Sequence, residues 1–249
     1  MHSGRKLRYK HYELFDAGNI DDDGKILDPT SQRAHANKGN GLWHVDSSFN
    51  PRRASYSLLR ACELPPPDTG GNTEFADSRT AFDELPEDLR QELQGRELVG
   101  VHANIWSRKK GSPEFFKDID PTQYPMYRHR IVQRHEPSGR MNLYIGAHLH
   151  HIEEDGKELP GSAELVDRLN RHVAQPKYTL SVGWNRPGDL IIWDNRCVQH
   201  RSGPNPSAGK YKRDLRRTTV HDDSSTAWGL NDKDAAWNGI YVPKSVKAA

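Results

Sequence analysis

The sequence predicts a mainly β protein, a barrel or sandwich of short strands decorated by helices, and three observations predict it. Short runs of β-branched, aromatic and aliphatic residues recur along the chain, each closed by a Pro/Gly turn. Helical periodicity is confined to a few short stretches. A length of 249 residues fits one ordinary domain that buries a core, so 1–249 is read as a single domain.

Residues 1–40 read as a polar N-terminal extension, with Asp21-Asp22-Asp23-Gly24 as a surface turn. The acidic residue that closes an EF-hand loop is not at the required distance, which excludes that calcium site. Tyr56 to Leu64 predicts a strand stopped by Pro65-Pro66-Pro67, and Thr73 to Ala76 another after the Gly70-Gly71 turn. Residues 78–94 predict two short helices, with Pro86 in a first turn. His102, Asn104 and Trp106 alternate as on a strand. Arg130 to Arg134 and Met141 to Ile145 flank Pro137-Ser138-Gly139 as a hairpin. Ser162 is placed to cap a helix that has Leu165, Val166, Leu169 and Val173 on one face. Tyr178 to Trp184 and Asp189 to Trp193 predict a second hairpin, Arg217 to His221 a last strand, and 225–249 a C-terminal tail.

Composition narrows the function. Charged residues make up 28% and hydrophobic ones 34%, and six Trp and nine Tyr favour a packed globule over a disordered chain. The net charge is only +2 and the basic residues are scattered, which argues against a nucleic-acid partner. No stretch has the apolar length to span a bilayer, and Met1-His2-Ser3-Gly4-Arg5-Lys6 does not open a signal peptide. Cys62 and Cys197 are too few for a disulfide framework. A cytoplasmic protein is expected, and the sequence leaves homo-oligomerisation open.

Four segments carry chemistry. In Gly41-Leu42-Trp43-His44-Val45-Asp46, residues two apart on a strand share a face, so His44 and Asp46 present an imidazole and a carboxylate to one point. Two histidines and one carboxylate leave coordination positions open for oxygen on one side of a metal. Alone, His-X-Asp is weak. The run Pro187 to His200 is an apolar strand that turns at Asp194-Asn195-Arg196 and ends on His200; the Asp and Asn side chains of that turn are suited to aim His200 into a barrel, the alternative being a surface histidine. In Lys212 to Thr219, extension puts Arg213, Leu215 and Arg217 on one face and Arg216 on the other. An inward arginine on such a strand needs an anion, with a carboxylate as its natural partner; the alternative is a solvated charge run. In Asp68 to Phe75, the glycines allow close backbone approach and the Thr73 hydroxyl is a donor for a carboxylate.

In this order, Trp43-His44-Val45-Asp46, Gly70 to Phe75, Leu143-Tyr144-Ile145-Gly146, Gly188 to Arg196, His200 and Arg213 to Thr219 resemble the family of taurine dioxygenase and 2,4-dichlorophenoxyacetate dioxygenase. The likeness spans residues 40–221 and leans to the aryloxyacetate branch through Trp193 to Cys197 and Leu215 to Thr219. The resemblance implies a double-stranded β-helix (a cupin-like jelly roll) with peripheral helices. It implies an Fe(II)- and 2-oxoglutarate-dependent dioxygenase that uses O2, oxidises a small anionic organic substrate, most simply a carboxylate, and releases succinate and CO2. His44, Asp46 and His200 match the family's metal triad, and Thr73 and Arg213 the residues that hold the distal carboxylate of 2-oxoglutarate. Arg217 matches the arginine that binds the substrate anion, with Arg216 as its rival, and His148 matches a pocket histidine. One departure stands out: only 43 residues precede His44, fewer than in the family, so the family's N-terminal pocket residues lack evident counterparts.

Two other classes use the same ligands: a non-catalytic metal-binding barrel and a zinc hydrolase. Neither needs Arg213 and Thr73. A second metal site at His148, His150 and His151 is the weaker reading of that cluster, and Cys197 reads as a buried residue, not a nucleophile.

Overall fold

In this computed structural model, residues 8–11 and 13–234 are described. The opening Met1 to Lys6 and residues 235–249 of the expected tail lie outside them. In chain order the strands are β1 (Phe15–Asp16), β2 (Ala54–Glu63), β3 (Thr73–Asp77), β4 (Val99–His102), β5 (Tyr127–Arg130), β6 (Val132–Arg134), β7 (Met141–Leu143), β8 (Leu149–Glu154), β9 (Lys157–Glu158), β10 (Thr179–Val182), β11 (Leu190–Asp194), β12 (Val198–Ser202) and β13 (Asp214–His221). The helices are α1 (Gln32–Asn37), α2 (Ser78–Asp83), α3 (Glu87–Leu93), α4 (Asn104–Gly111) and α5 (Ser162–Val173).

Two antiparallel sheets form the jelly roll, ordered β1-β13-β2-β11 and β10-β3-β12. Alternation along their strands sends Leu59, Ala61, Phe75, Trp193 and Leu215 into the space between them, where they make one apolar cluster. A third sheet, β5-β4-β8-β9, and the β6-β7 ribbon carry the larger core against α2, α3 and α5. Leu165, Val166, Leu169 and Val173 of α5 are all buried there, as their helical spacing predicts.

Several elements differ from expectation for identifiable reasons. The second hairpin does not form. β10 pairs with β3 and β11 with β2, because the chain crosses between the two sheets at Asn185 to Asp189. The Asp189 carboxylate holds that crossing by accepting from the Asn185 and Arg186 N–H groups at 2.8 and 3.1 Å. Ser162 does not cap α5. Gly161 takes the cap position, and the Ser162 hydroxyl accepts from Ile152 N–H at 2.7 Å, tying the helix to β8. The alternating His102, Asn104 and Trp106 are not on one strand, since β4 ends at His102 and α4 begins at Asn104. Pro86 stands at the N-cap position of α3, just outside its first turn, and makes no side-chain capping bond. The acidic turn forms as expected: Asp21 Oδ1 accepts from Asp23 and Lys25 N–H, and Ile20 bridges Ile26. No described helix is long and apolar enough to cross a membrane.

Candidate active site

The site begins at one backbone pairing. His44 N–H donates to His200 O at 3.0 Å and His200 N–H to His44 O at 2.9 Å. Residues paired this way project to the same face, and the two imidazole centroids lie 4.3 Å apart. The other side of His44 is closed by Gly146 at φ +138°, where a Cβ would stand 3.0 Å from His44 Cα. Glycine alone lets this loop come so close and places Ala147 N–H 2.8 Å from the Trp43 carbonyl.

Asp46 arrives differently from the expected strand. Pairing stops at His44, and the chain turns through Asp46 to Phe49. The turn brings Asp46 Oδ1 to 3.9 Å from His44 Nε2 and Oδ2 to 3.5 Å from His200 Nε2. The three buried side chains present donor atoms within 4.8 Å of one another. The side chain of Asn195 does not aim His200; it bonds the backbone of Asp46.

The electrostatics suit a divalent cation. Burial pushes His44 and, further still, His200 below the ordinary histidine range, so both are neutral at pH 7. His44 Nδ1 lies 2.7 Å from the Leu42 carbonyl and must carry the proton, which leaves Nε2 a lone pair facing Asp46. Burial alone would raise the Asp46 carboxyl, but Arg217, His200, His44 and the Ser57 hydroxyl outweigh it and hold the group at about 2. A second group, His135, Asp194 and Cys197, also lies within 4.8 Å. There Asp194 accepts from Arg196 and bonds His135, whose other ring nitrogen lies 2.7 Å from the Ser138 hydroxyl, and none of the three lines the cavity that His44 and His200 line.

Beside the triad opens a cavity of about 390 Å³, lined by His44, His200, Thr73, Trp193, Leu59, Leu215, Arg213 and Arg217 among others. Arg213, Leu215 and Arg217 share its wall, as alternation on β13 predicts. Arg216 points the other way, onto Tyr9 and Asp214. Arg213 is the informative member. Its Nη2 donates to the Gly71 carbonyl at 2.7 Å, and among the described residues no carboxylate pairs with it. Burial pushes its guanidinium down to about 10. Thr73 faces the same space; its hydroxyl oxygen accepts from Trp184 Nε1 at 3.3 Å and keeps its own proton to donate. A half-buried arginine without a carboxylate partner among the described residues, and a hydroxyl donor, on the cavity that His44 and His200 of the triad line, fit Fe(II) with a dicarboxylate co-substrate.

Arg217 is paired to a protein carboxylate, that of Asp46. Its Nη1 donates to Asp46 Oδ1 at 2.5 Å, its face lies on Phe15, and its buried Nε has no partner among the described residues. His148 is buried edge-on to His44 at 5.5 Å and to Phe49 at 4.7 Å, and does not line the cavity. His150 and His151 face Trp106 and each other, away from the triad.

The N-terminal residues are the main omission of the sequence reading. Far from being only turn and surface, residues 15–40 supply an apolar wall through Phe15, Ala17, Ile26, Leu27, Pro29 and Ala34. Ile20 and Ile26-Leu27 flanking an Asp-Gly turn were the available signal. Ser57 and Asn195, which hold Asp46, gave none beyond their place in β2 and the Trp193 to Arg196 turn.

Ligands that leave one side of the metal open, next to a cation awaiting a carboxylate, are what oxygen activation with an oxo-acid requires, and the class so defined is the mononuclear non-haem iron(II), 2-oxoglutarate-dependent dioxygenases. The family model "Taurine catabolism dioxygenase TauD, TfdA family" matches residues 7–219, and the chain belongs to that family. It is 40% identical over 216 residues to the alpha-ketoglutarate-dependent 2,4-dichlorophenoxyacetate dioxygenase of Burkholderia sp. (strain RASC), covering 87% of this chain and 70% of that protein. The enzyme of the same description from Cupriavidus pinatubonensis is 38% identical over 220 residues, covering 88% and 74%. Among solved structures, AAD-2 in complex with Mn(II) and N-oxalylglycine superposes with a TM-score of 0.74 at 37% identity, covering 86% of this chain and 74% of that one. The enzyme therefore uses Fe(II), 2-oxoglutarate and O2, and the non-catalytic alternative falls away.

Proposed function

We propose that His44 Nε2, His200 Nε2 and the Asp46 carboxylate hold the iron, that Arg213 and Thr73 hold the distal carboxylate of 2-oxoglutarate, and that Arg217 receives the anionic group of a small carboxylic acid substrate. The observation that carries this reading is the half-buried Arg213, without a carboxylate partner among the described residues, on the same cavity as His44 and His200 of the converged triad. The bound iron and 2-oxoglutarate supply oxidative decarboxylation, with succinate and CO2 released, coupled to oxidation of a substrate C–H bond. The chain's own residues bind, orient and exclude water. Trp193 and Phe75 fix the His200 ring from 4.6 and 6.4 Å, and Leu59 and Leu215 keep the floor apolar. Arg217 lines the cavity and offers an anion the guanidinium N–H groups that Asp46 does not take, while Phe15, Ile26 and Leu27 offer an apolar wall to the rest of the substrate. An aryl or alkyl carboxylate fits both features, in keeping with the 2,4-dichlorophenoxyacetate for which a relative is named. We assign His148 to the support of His44.

The test is anaerobic addition of 2-oxoglutarate to the Fe(II)-loaded protein, followed by a panel of small acids and their amides scored by succinate release. A metal-to-ligand charge-transfer band, with acids stimulating turnover more than amides, is expected. A missing band with iron demonstrably bound would remove the assignment of the co-substrate site. Equal stimulation by acid and amide, unaffected by Arg217→Ala, would remove the role of Arg217.

A further inference from the structure

The peptide of Asp46 has no neighbouring strand. Ladder pairing ends at His44, Ser47 is held at φ +60°, and Asp46 is 3% exposed, so its N–H and C=O need partners away from water. One side chain provides both. Asn195 Oδ1 accepts from Asp46 N–H at 2.8 Å, and Asn195 Nδ2 donates to the Asp46 carbonyl at 2.8 Å. These are the two bonds that a residue on an adjacent antiparallel strand would make. Asn195 is itself fully buried and anchored: its N–H donates to Ser55 O at 2.7 Å and its amide also donates to Ala54 O at 3.3 Å. At the other end of Asp46, the buried Ser57 hydroxyl donates to Oδ2 at 2.9 Å.

We propose that Asn195, seconded by Ser57, is the positioning residue that makes Asp46 a metal ligand, its amide standing in for the missing strand. Asn195 fixes the plane of the Asp46 peptide and so the direction of its Cα–Cβ bond; Ser57 fixes the rotation of the carboxylate. This rests on the assignment of Asp46 as a ligand made above. Asparagine is required because the contact needs both a donor and an acceptor: aspartate would turn a carboxylate oxygen toward the carbonyls of Asp46 and Ala54. The variant Asn195→Asp also separates position from charge. It adds a negative charge near the metal, which by Coulomb attraction alone would tighten cation binding. Loss of an outer partner of a ligand instead weakens metal affinity, by about ten- to a hundredfold.

The experiment is Mn2+ titration, read by the EPR signal of free Mn2+, alongside thermal unfolding of each variant. Asn195→Asp and Asn195→Ala should raise the Mn2+ dissociation constant about ten- to a hundredfold, and Ser57→Ala should raise it less. Ser162→Ala removes a buried hydroxyl that accepts from Ile152 N–H and ties α5 to β8, away from the turn that carries Asn195. It should lower thermal stability and leave Mn2+ affinity unchanged. Unaltered or tighter Mn2+ binding in the Asn195 variants would overturn the proposal, as would equal weakening in Ser162→Ala. Should the Asn195 variants fail to fold, unchanged affinity in Ser57→Ala overturns it. His200→Ala tells the two readings apart: wild-type Mn2+ binding there removes the ligand assignment itself, whereas lost binding there with intact binding in the Asn195 variants removes only this inference.

Discussion

Removing the cation that the co-substrate needs should make the ligand-free protein more stable. Arg213 is half-buried without a carboxylate partner among the described residues, and loss of hydration pushes its guanidinium down to about 10. That depression corresponds to at most about 3 kcal/mol against the charge, less what the solvent reaching this half-buried group screens. The bond from Nη2 to the Gly71 carbonyl offsets about 1 kcal/mol of it. Arg213→Met keeps an unbranched apolar stem and drops the charge, so the ligand-free variant should gain about 1–2 kcal/mol, or roughly 3–6 °C in Tm for a chain of this size. The functional effect runs the other way. Wild type should be stabilised further by 2-oxoglutarate with Mn(II), whereas Arg213→Met should show no such shift. Arg213→Lys keeps the charge and loses the fork geometry, so its apparent constant for 2-oxoglutarate should rise at least about tenfold, the equivalent of ~1.4 kcal/mol. The assay is thermal unfolding with and without 2-oxoglutarate at fixed Mn(II). An Arg213→Met protein that melts below wild type and still responds to 2-oxoglutarate would refute the reasoning.

Three further outcomes follow from the same geometry. At Gly18, a Cβ would stand 2.3 Å from the Arg213 carbonyl oxygen, so Gly18→Ala must displace that backbone; it should raise the 2-oxoglutarate constant by about tenfold or more with Mn2+ affinity unchanged, checked by paired titrations. His129 is buried and held at about 4, below the ordinary histidine value of 6.5. Between those values the unfolded chain binds the proton and the folded one does not, so stability falls as pH drops from 6.5 toward 4. Denaturant unfolding of His129→Gln should show that slope reduced by up to about 1.4 kcal/mol per pH unit, and an unchanged slope would contradict it. His150→Ala and His151→Ala should leave metal stoichiometry unaltered, measured by elemental analysis, because both rings face away from the triad.

Legibility of the sequence followed how local each signal was. α5 declared itself through Leu165, Val166, Leu169 and Val173, since a helix face is written within the helix. The shared face of Arg213 and Arg217 was equally local, and the structure sets both on the cavity wall. Partnership between distant strands was not. Leu190 to Asp194 reads as half of a hairpin until one knows that Leu58 and its neighbours on β2 pair with it. The convergence of His44, Asp46 and His200 was legible as a composition of ligands but not in its means, a bridge and a turn instead of a strand. Asn195 marks the limit: a turn asparagine usually bonds its own neighbourhood, and nothing local says that it reaches Asp46, 149 residues away. The wall from residues 15–40 was hidden because polar residues outnumber the few apolar ones that turn inward.

The most direct test of the account is a crystal structure of the chain with Mn(II) and N-oxalylglycine, the anomalous signal locating the metal. The account predicts one strong anomalous peak among His44 Nε2, His200 Nε2 and the Asp46 carboxylate, with the distal carboxylate of the oxalyl compound on Arg213 and Thr73. A peak at His135, Asp194 and Cys197 instead, or an oxalyl compound turned away from Arg213, would contradict it.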